Sequence, residues 1–538
     1  MQDWPLLVPT ILEHARTYHG TREIISRSVE GPIHRCTYVD LDRRARKLAS
    51  ALEKYGVKQG DILGTMAWNG YRHMEIWYGL MGHGGIVHTL NPRLFADQLA
   101  YIINHAEDKH IFLDLTFVPI LEALQDKLKM VQSFIIMTDA EHMPETSLKN
   151  VICYEDLIER GDEDYQWPKL DEESACGICY TSGTTGNPKG VLYSHRSNVL
   201  HAMVTNGADA LGFKSQDSVM AVVPMFHANA WSLVFSCPMA GANLVMPGAQ
   251  MDGASIYEML NVGKVTCTAA VPTVWQMLIS YLEESGEKLD YLERVIIGGA
   301  ACPPSMMETF EKLYDTTVIH AWGMTETSPL GSLGTIKGGL EDLSAQDIAA
   351  LKIKQGRPPY TVEMKIIDDD SNELPRDGVA FGHLMVRGPC VSADYLHNDD
   401  APIIDGQNWF DTGDVSTLDQ YGYMQITDRA KDVIKSGGEW ISTIDLENLA
   451  VGHEEVEEAA VIGIAHPKWD ERPLLVIVRK KGSTVSGEDI LASLKGKIAN
   501  WWMPDAVAFV DEIPHTATGK IHKLTLRETF KDYVLPSA

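Results

Sequence analysis

The feature that most constrains this chain is the alternation of short apolar runs with amphipathic stretches over residues 1–430. Short apolar runs bounded by polar residues are typical of buried strands. The predicted strands include Ile62–Met66, Ile86–Leu90, Ile111–Leu113, Phe134–Met137, Val219–Val223, Leu244–Met246, Val265–Ala269 and Val295–Ile297. Predicted helices between them include Tyr38–Tyr55, Asp97–His105 and Pro303–Leu313. This order indicates α/β layers, whose mostly parallel sheets bind ligands in the loops after their strands.

The pattern changes after residue 360. Thr361–Asp368 and Gly382–Arg387 are predicted strands of a β-rich subdomain at about residues 361–428. The elements predicted further on are a helix at Thr443–Gly452, strands at Glu458–Ile464 and Leu474–Arg479, and a helix at Gly487–Ala499. We therefore predict an α/β fold with a large N-terminal domain of layered, mostly parallel sheets (1–430) and a small α+β C-terminal domain (431–538).

The charge and the cysteines narrow the function classes. A formal net charge of −28 argues against a nucleic-acid partner and against docking on anionic lipid. The sequence has no visible signal peptide and no apolar run of about 18 residues, so we expect no stable membrane insertion. Eight scattered cysteines favour a reducing, cytoplasmic location. Cys176 and Cys179 form a C-x-x-C pair that we interpret as part of a buried strand rather than a redox or metal site.

The strongest chemical signal is the run YTSGTTGNPKG at residues 180–190. Small and hydroxylated residues let backbone N–H groups and hydroxyls surround phosphate oxygens, and Lys189 adds a positive charge. The run is not a Walker A loop, because Pro188 and Gly190 stand where that motif needs Gly and Ser or Thr. The candidate phosphate-binding residues are Thr181, Ser182, Gly183, Thr184, Thr185 and Lys189.

This run closely resembles the phosphate-binding signature of the adenylate-forming enzymes: acyl-CoA synthetases, luciferases and peptide-synthetase adenylation domains. The resemblance covers nearly the whole chain and recurs in order at several spaced motifs. It implies ATP and Mg²⁺ as cofactors, with Thr184 among the metal residues. It also implies a large N-terminal domain and a small, mobile C-terminal domain, in agreement with the division predicted after residue 430.

The second motif is AWGMTET at residues 321–327. By itself, an acid beside a hydroxyl could simply cap a helix. The resemblance implies that Thr325 contacts the adenylate phosphate and that Glu326 helps to hold Mg²⁺, which prefers carboxylate, phosphate and water oxygens. It also places Trp322, Gly323 and Met324 beside the nucleotide.

The third motif is FDTGD at residues 410–414, followed by Asp428 and Arg429. Either Asp414 or Arg429 alone could belong to a turn or a surface ion pair. The resemblance implies that Asp414 binds the ribose and that Arg429 binds the nucleotide as well, through charge-assisted hydrogen bonds. It places a segment of small residues along the adenine and the acyl pocket: Gly298, Gly299, Ala300 and Ala301.

The fourth motif is IPHTATGKI at residues 513–521. The resemblance implies that Lys520 reaches the active site during adenylation, although Lys523 lies close enough to be chosen instead. It also implies that the C-terminal domain rotates about Lys431 between two half-reactions. Rotation would replace Lys520 with a face that admits coenzyme A, formed by Lys435, Gly437 and Gly438.

The acid-binding residues are the least specified. The segment PMFHANAW at residues 224–231 resembles one beside the acyl pocket of the family. His227 could be a base, but we interpret it as a pocket wall, and Trp231 as a lining or gating residue. Other candidates are Gly298, Pro329 and Leu330. The segments KSGGEWIS and DLEN, which begin at residues 435 and 445, resemble bacterial fatty-acyl-CoA synthetases and 3-methylmercaptopropionate-CoA ligases.

The resemblance and the motifs together predict an acid–CoA ligase that works through an acyl-adenylate on a short- to medium-chain monocarboxylic acid. ATP and coenzyme A are the co-substrates, and AMP and pyrophosphate are released. Alternatives are an aryl or long-chain acid, another acceptor such as a carrier protein, a luciferase-like oxidase, or a nucleotide-binding regulatory protein. The family also makes a homodimer a reasonable expectation.

Overall fold

The structure is a computed structural model that describes residues 1–181, 187–398, 402–437, 439–515 and 521–537. Residues 1–205 contain the strands of the first large sheet, the helices beside them, and the first two strands of the chain, which belong to the second large sheet. Their bounds are α1 Val8–His19, β1 Glu23–Arg27, β2 Ile33–Thr37, α2 Tyr38–Tyr55, β3 Ile62–Met66, α3 Tyr71–His83, β4 Ile86–Thr89, α4 Ala96–His105, β5 His110–Leu113, α5 Val118–Leu124, β6 Ser133–Ile136, β7 Val151–Cys153, α6 Tyr154–Ile158, β8 Ala175–Tyr180, β9 Gly190–Ser194 and α7 His195–Thr205.

A second large sheet is built mainly from residues 218–333. The bounds are β10 Ser218–Ala221, α8 Ala228–Trp231, α9 Leu233–Ala240, β11 Asn243–Met246, α10 Gly253–Val262, β12 Cys267–Ala270, α11 Pro272–Ser285, β13 Arg294–Ile297, α12 Pro304–Leu313, β14 Thr317–Gly323, β15 Leu330–Leu333 and α13 Ala345–Ile353. The strands run in the order β15-β14-β13-β12-β10-β11-β1-β2, and those from β14 to β1 are parallel. The first sheet runs β7-β6-β5-β3-β4-β8-β9 and is parallel except at β8/β9.

Two smaller sheets follow. The strands β16 Glu363–Ile367, β17 Phe381–Arg387, β18 Phe410–Leu418 and β19 Met424–Arg429 form an antiparallel sheet in chain order. The last unit contains β20 Ile434–Ser436, β21 Glu439–Ile441, α14 Thr443–Val451, β22 Val456–His466, β23 Asp470–Arg479, α15 Gly487–Leu494, β24 Ala506–Phe509 and α16 Lys523–Thr529. These layers confirm the predicted α/β class, and the domain boundary after residue 430 stays a prediction.

Helices packed between the two large sheets form the main core. One buried apolar cluster joins Leu63 of β3 and Val219 of β10 to helix side chains such as Trp77 and Phe235. The rings of Trp77 and Phe235 lie 5.7 Å apart, so α3 and α9 touch directly. Burial of such large rings is a major stabilising term in folding. The core therefore holds the carboxyl ends of both parallel sheets in a fixed relation.

Most predicted elements agree with the structure to within two residues, and two do not. The strand predicted over Leu474–Arg479 begins four residues earlier, at Asp470, where it continues its antiparallel pairing with β22. The helix predicted over Gly487–Ala499 ends at Leu494. Lys495 has ψ 132° and Gly496 has φ 77°, values that cannot continue a right-handed helix. Within the described residues, the helices are each too short or too polar to span a lipid bilayer.

Candidate active site

The glycine-rich run connects β8 to β9, and its two ends are held together. Thr181 N donates to the carbonyl of Lys189 at 2.9 Å, and Lys189 N donates to Oγ1 of Thr181 at 3.2 Å. The adjacent Tyr180 pairs with Gly190 in the β8/β9 ladder. The predicted phosphate-binding residues Ser182, Gly183, Thr184 and Thr185 lie outside the described residues. The structure thus fixes the ends of the loop, including Lys189.

The second motif lies against the strand that follows this loop. The hydroxyl of Tyr193, in β9, donates to the carbonyl of Thr325 at 2.7 Å. The hydroxyl of Tyr395 donates to Oε1 of the buried Glu326 at 2.7 Å. The Lys189 ammonium lies 4.9 Å from the centre of the Tyr395 ring. The structure therefore brings Lys189 and Glu326 to the two sides of one tyrosine that the sequence analysis missed.

The residues around Glu326 suit a Mg²⁺ ion held jointly with phosphate. Among the described residues, the Glu326 carboxylate receives one hydrogen bond, at Oε1 from Tyr395. Its other oxygen is a hard, anionic donor of the kind that Mg²⁺ prefers, and Mg²⁺ sites commonly use one or two carboxylates with phosphates and water. The second predicted metal residue, Thr184, lies outside the described residues.

The third motif forms a network with Trp322. Trp322 Nε1 donates to Oδ2 of Asp414 at 2.9 Å, and Arg429 Nε lies 2.8 Å from Oδ1. Asp414 and Arg429 are paired across β18 and β19, which explains how residues far apart in sequence meet. The Asp414 side chain is 0% exposed, whereas that of Arg429 is 39% exposed. For Asp414 to reach a ribose, Arg429 or Trp322 must therefore move aside.

Close backbone contacts explain the small residues of the second motif. A Cβ atom at Gly323 would lie 2.0 Å from the carbonyl oxygen of Pro329, which accepts a hydrogen bond from Met324 N at 3.0 Å. A Cβ at Gly331 would lie 2.2 Å from the Trp322 ring. Side chains at either position would push the chain away from Trp322.

A buried histidine supports the predicted acid residues Pro329 and Leu330. Leu330 N donates to Nε2 of His201 at 3.0 Å. Burial lowers the pKa of His201 to about 3, so its imidazole is neutral and Nε2 is a hydrogen-bond acceptor. The sequence analysis missed His201, because a single histidine within a helix carries no local signal of its partner.

The segment that carries Trp231 has an unusual backbone. All residues from Ala228 to Ser232 have positive φ, between 28° and 69°. Left-handed conformations cost L-residues about 1–2 kcal/mol each, so this turn is held by its surroundings. One support is the hydrogen bond from Asn229 Nδ2 to Oδ1 of Asn198 at 2.9 Å.

This left-handed turn places the Trp231 ring against Gly298. A Cβ at Gly298 would lie 3.1 Å from Cη2 of Trp231 and 3.0 Å from the carbonyl oxygen of Ala321. A Cβ here would crowd both the indole and the carbonyl, so a glycine suits this contact. The structure therefore brings together two predicted acid-side residues that are distant in sequence.

The segment before Trp231 is tied to the first large sheet by another residue that the sequence analysis missed. Asn69 Nδ2 donates to the carbonyls of Ala221 and Val223, both at 2.8 Å, and Asn69 Oδ1 accepts from Met225 N at 2.7 Å. Asn69 is buried just after β3. A single asparagine after a strand is typical of a turn, so no sequence signal identified Asn69 as a supporting residue.

The remaining predicted residues of this region lie nearby in the chain. His227 is half-buried, and its ring centre lies 5.0 Å from that of Phe226. In the small-residue segment, Gly299 has φ 78° and Ala300 is exposed, whereas Ala301 is half-buried. The interpretation of His227 as a pocket wall stays a prediction.

The predicted C-terminal residues are only partly described. Lys520 and Gly438 lie outside the described residues. Lys435 is exposed on β20, and its backbone N donates to Oε2 of Glu471 at 3.1 Å. Gly437, at φ 60°, donates to the carbonyl of Trp469 at 2.8 Å.

The rival lysine, Lys523, is occupied elsewhere. It is buried, forms an ion pair with Glu447 at 2.7 Å and donates to the hydroxyl of Thr443. The backbone N of Thr443 in turn donates to Oδ2 of Asp428 at 2.7 Å. Lys523 therefore joins α16 to α14, and Thr443 joins α14 to the end of β19.

Comparisons with known proteins place these features in context. The AMP-binding enzyme family model matches residues 12–396, and the model of the AMP-binding enzyme C-terminal domain matches residues 445–520. The chain is 48% identical to a 3-methylmercaptopropionyl-CoA ligase of Ruegeria lacuscaerulensis, over 99% of this chain and 98% of that protein. It is 47% identical to a medium-chain-fatty-acid–CoA ligase of Ectopseudomonas oleovorans, over 99% and 97%.

Among solved structures, the anthranilate CoA ligase AuaEII in complex with anthranoyl-AMP superposes with a TM-score of 0.86. The two sequences are 24% identical, and the match covers 99% of each chain. This likeness concerns the fold, and it extends over both the large and the small units.

Proposed function

This chain belongs to the AMP-binding enzyme family as an AMP-forming acid–CoA ligase, and we propose that its acid is a short- to medium-chain monocarboxylate. The enzyme activates the acid with ATP as an acyl-adenylate, with loss of pyrophosphate. It then transfers the acyl group to coenzyme A and releases AMP. Fatty acids and 3-methylmercaptopropionate are the two acid types that we favour.

The observation that carries the acid assignment is the Trp231 ring packed on Gly298. The predicted wall residues around this contact are apolar: Phe226, Trp231, Ala300, Trp322, Pro329 and Leu330. An apolar pocket selects by length and shape, and one methylene is worth about 1–3 kcal/mol of discrimination. The relatives that are 48% and 47% identical are named for acids of this kind.

For the first half-reaction we propose that Lys189, Thr325 and Glu326 act on the ATP phosphates. The acid carboxylate attacks the α-phosphate, so two anions must be held together and their charge offset. Glu326 would hold Mg²⁺, which when bound neutralises charge on phosphate oxygens. The contact of Tyr395 with both Lys189 and Glu326 supports this grouping.

On the same side we propose that Asp414 and Arg429 bind the ribose, with Trp322 holding Asp414 in place. The hydrogen bond from Trp322 and the ion pair with Arg429 support this role, because together they fix the orientation of the Asp414 carboxylate. Arg429, which is partly exposed, would swing towards the nucleotide and uncover the carboxylate.

We propose that Lys520 completes adenylation and that the face of Lys435, Gly437 and Gly438 admits coenzyme A after the C-terminal unit rotates about Lys431. We expect Lys520→Ala to lower acyl-adenylate formation by about 10²–10³ while sparing thiolysis of a supplied acyl-adenylate. Single-turnover assays of each half-reaction measure this. An equal loss in both half-reactions would contradict the rotation.

We also propose a cytoplasmic homodimer. The cytoplasmic location is supported by the eight cysteines, all of which are free. The dimer rests on the family resemblance, and light scattering of the purified protein tests it. A mass near the 59.6 kDa of one chain would reject it.

The experiment that tests the function is pyrophosphate release with Mg²⁺-ATP over a panel of acids, with and without coenzyme A. The panel runs from acetate to palmitate and adds 3-methylmercaptopropionate, benzoate and cinnamate. Coenzyme-A-dependent turnover that peaks between propionate-sized and decanoate-sized acids supports the proposal. A peak on palmitate or on an aryl acid would reject the acid class but keep the ligase.

A further inference from the structure

Tyr395 touches both proposed phosphate-handling groups, and nothing in the mechanism above uses it. We infer that Tyr395 is a positioning residue that sets the spacing between Glu326 and Lys189 for the Mg²⁺-ATP complex. The inference rests on the proposed roles of those two residues. It assigns to one side chain two separate tasks, one for its hydroxyl and one for its ring.

The hydroxyl fixes the orientation of the Glu326 carboxylate. It donates to Oε1 at 2.7 Å, a length typical of a charge-assisted bond. A carboxylate with one oxygen held this way presents its other oxygen in a defined direction. Hydrogen-bond partners of metal-binding carboxylates commonly tune metal affinity by about 10–100-fold.

The ring of Tyr395 contacts the second phosphate-handling group, Lys189. The Lys189 ammonium lies 4.9 Å from the ring centre of Tyr395, within the range of a cation–π contact. Such a contact restrains a long, flexible side chain that would otherwise sample many rotamers. It leaves the hydrogens of the ammonium available to phosphate oxygens.

The backbone around Tyr395 is attached to both partners. Tyr395 forms an antiparallel bridge with Val191, and Leu396 N donates to the carbonyl of Gly190 at 2.8 Å. On the other side, Ser392 N donates to the carbonyl of Glu326 at 2.7 Å. The segment 392–396 therefore joins the end of the phosphate loop to the second motif through main-chain bonds.

Tyr395 acts here as a hydrogen-bond donor and not as a proton carrier. Burial raises the pKa of its phenol far above the usual value, and the charge of Glu326 raises it further. Because the hydroxyl contacts the Glu326 carboxylate, a change in Mg²⁺ affinity is the expected signature of its loss.

The test uses two variants and one matched control in the full-length protein. Tyr395→Phe removes the hydroxyl and keeps the ring, whereas Tyr395→Leu removes both. The control is Tyr257→Phe, because Tyr257 of α10 also donates to a glutamate carboxylate, Oε2 of Glu287 at 2.8 Å, but at the exposed surface. Mn²⁺ binding in the presence of a non-hydrolysable ATP analogue is followed by the electron paramagnetic resonance of free Mn²⁺.

We expect Tyr395→Phe to raise the dissociation constant of Mn²⁺ by about tenfold or more, and the Mg²⁺ concentration at half-maximal rate by a similar factor. The KM for the acid should stay within a factor of two. Tyr395→Leu should in addition raise the KM for ATP, since Lys189 loses its support. Tyr257→Phe should match the wild type in every assay.

A double-mutant cycle removes the ambiguity of misfolding. In a Glu326→Gln background, Tyr395→Phe should cause no further loss of Mn²⁺ affinity, because its partner charge is already gone. A fully additive loss, or an unchanged Mn²⁺ affinity of Tyr395→Phe beside a lowered melting temperature, would overturn the inference. If the wild type releases no acid-dependent pyrophosphate, the proposed function fails, yet the Mn²⁺ comparison still decides the role of Tyr395.

Discussion

Two sides of the candidate site are built in different ways. On the proposed nucleotide side, which comprises Lys189, Glu326, Tyr395, Asp414 and Arg429, each carboxylate is held by an aromatic donor. Tyr395 holds Glu326, and Trp322 holds Asp414. On the proposed acid side, which comprises Trp231, Gly298, Pro329 and Leu330, the main contact is an indole packed against a glycine.

Because of this difference, substitutions on the two sides should have different effects on the reaction. A buried carboxylate that loses its charge or its donor forfeits a directional interaction, with a large penalty. An apolar wall that loses volume changes which ligand fits, and each methylene counts for about 1–3 kcal/mol. The nucleotide side should therefore control the rate, and the acid side should control the choice of acid.

The largest effect should come from Glu326→Gln. The substitution keeps the shape and removes the charge, so we expect kcat for pyrophosphate release to fall by about 10²–10³. The ratio of kcat/KM values for two acids, such as hexanoate and 3-methylmercaptopropionate, should stay within a factor of two. Glu287→Gln, at an exposed glutamate that also accepts from a tyrosine, is the control. A changed acid ratio would erase the distinction between the two sides.

Trp231→Ala should change the choice of acid and leave the binding of ATP nearly unchanged. Removal of the indole opens space above Gly298, so we expect the kcat/KM ratio of decanoate to butanoate to rise by about tenfold or more. The KM for ATP should not change by more than about twofold, because no nucleotide-side residue is touched. Steady-state kinetics over even-numbered acids measures both. An unchanged chain-length profile would remove Trp231 from the pocket wall.

Asn69→Leu tests the support of the acid side. It leaves the carbonyls of Ala221 and Val223 and the N–H of Met225 without their partner, so we expect a loss of about 2–4 kcal/mol in the free energy of unfolding. The KM for the acid should rise more than the KM for ATP. Denaturant unfolding and steady-state kinetics measure the two effects.

Asn104→Leu is the matched control for Asn69. Asn104 also bridges backbone groups, donating to the carbonyl of Lys127 at 2.9 Å and accepting from Lys129 N at 2.8 Å, but at the surface. Water replaces those partners, so the loss should be smaller. Equal losses at the two sites would show that burial of Asn69 is not the reason for its effect.

Elements with local signals were predictable from the sequence. The helix Tyr38–Tyr55 has the predicted bounds because a capping box of Thr37 and Asp40 begins it and a left-handed Gly56 ends it. The predicted Gly487–Ala499 helix was wrong at its C-terminal end. An apolar pattern does not reveal that Gly496 adopts a positive φ, which ends a right-handed helix. On the proposed nucleotide side, Glu326 and Asp414 were predicted because the motifs that contain them resemble those of the family.

The supporting residues were not predictable, because their partners are far away in the chain. Tyr395 lies 69 residues from Glu326, Asn69 lies 152 from Ala221, and His201 lies 129 from Leu330. Each is a common residue type in a segment that suits many roles, and only the fold reveals the contact. A motif thus locates the reacting groups, while the residues that orient them need the three-dimensional structure.

The smallest expected effect concerns the protonation of His201, which contacts Leu330 of the proposed acid side. His201 has a pKa of about 3 in the folded protein, whereas an unfolded histidine titrates near its ordinary value of about 6.5. Because the unfolded state binds the proton more tightly, this histidine costs no stability above pH 6.5 and lowers stability as the pH falls towards 3. Between pH 7 and pH 5.5 the loss from this one group should be about 1 kcal/mol.

His201→Gln isolates that contribution, because glutamine can still accept from Leu330 N but does not titrate. We expect the wild type to lose about 1 kcal/mol more than this variant between pH 7 and pH 5.5, as measured by denaturant unfolding at each pH. His142→Gln is the control of opposite sign, since hydrogen bonding to Asp139 raises the pKa of this exposed histidine and favours the fold at low pH. Equal pH responses of wild type and His201→Gln would mean that the pKa of His201 is the same in the folded and unfolded proteins, so that burial does not keep the imidazole neutral. A group that gains a proton near pH 6.5 would then lie beneath the proposed acid side, and its contrast with the charged nucleotide side would no longer hold.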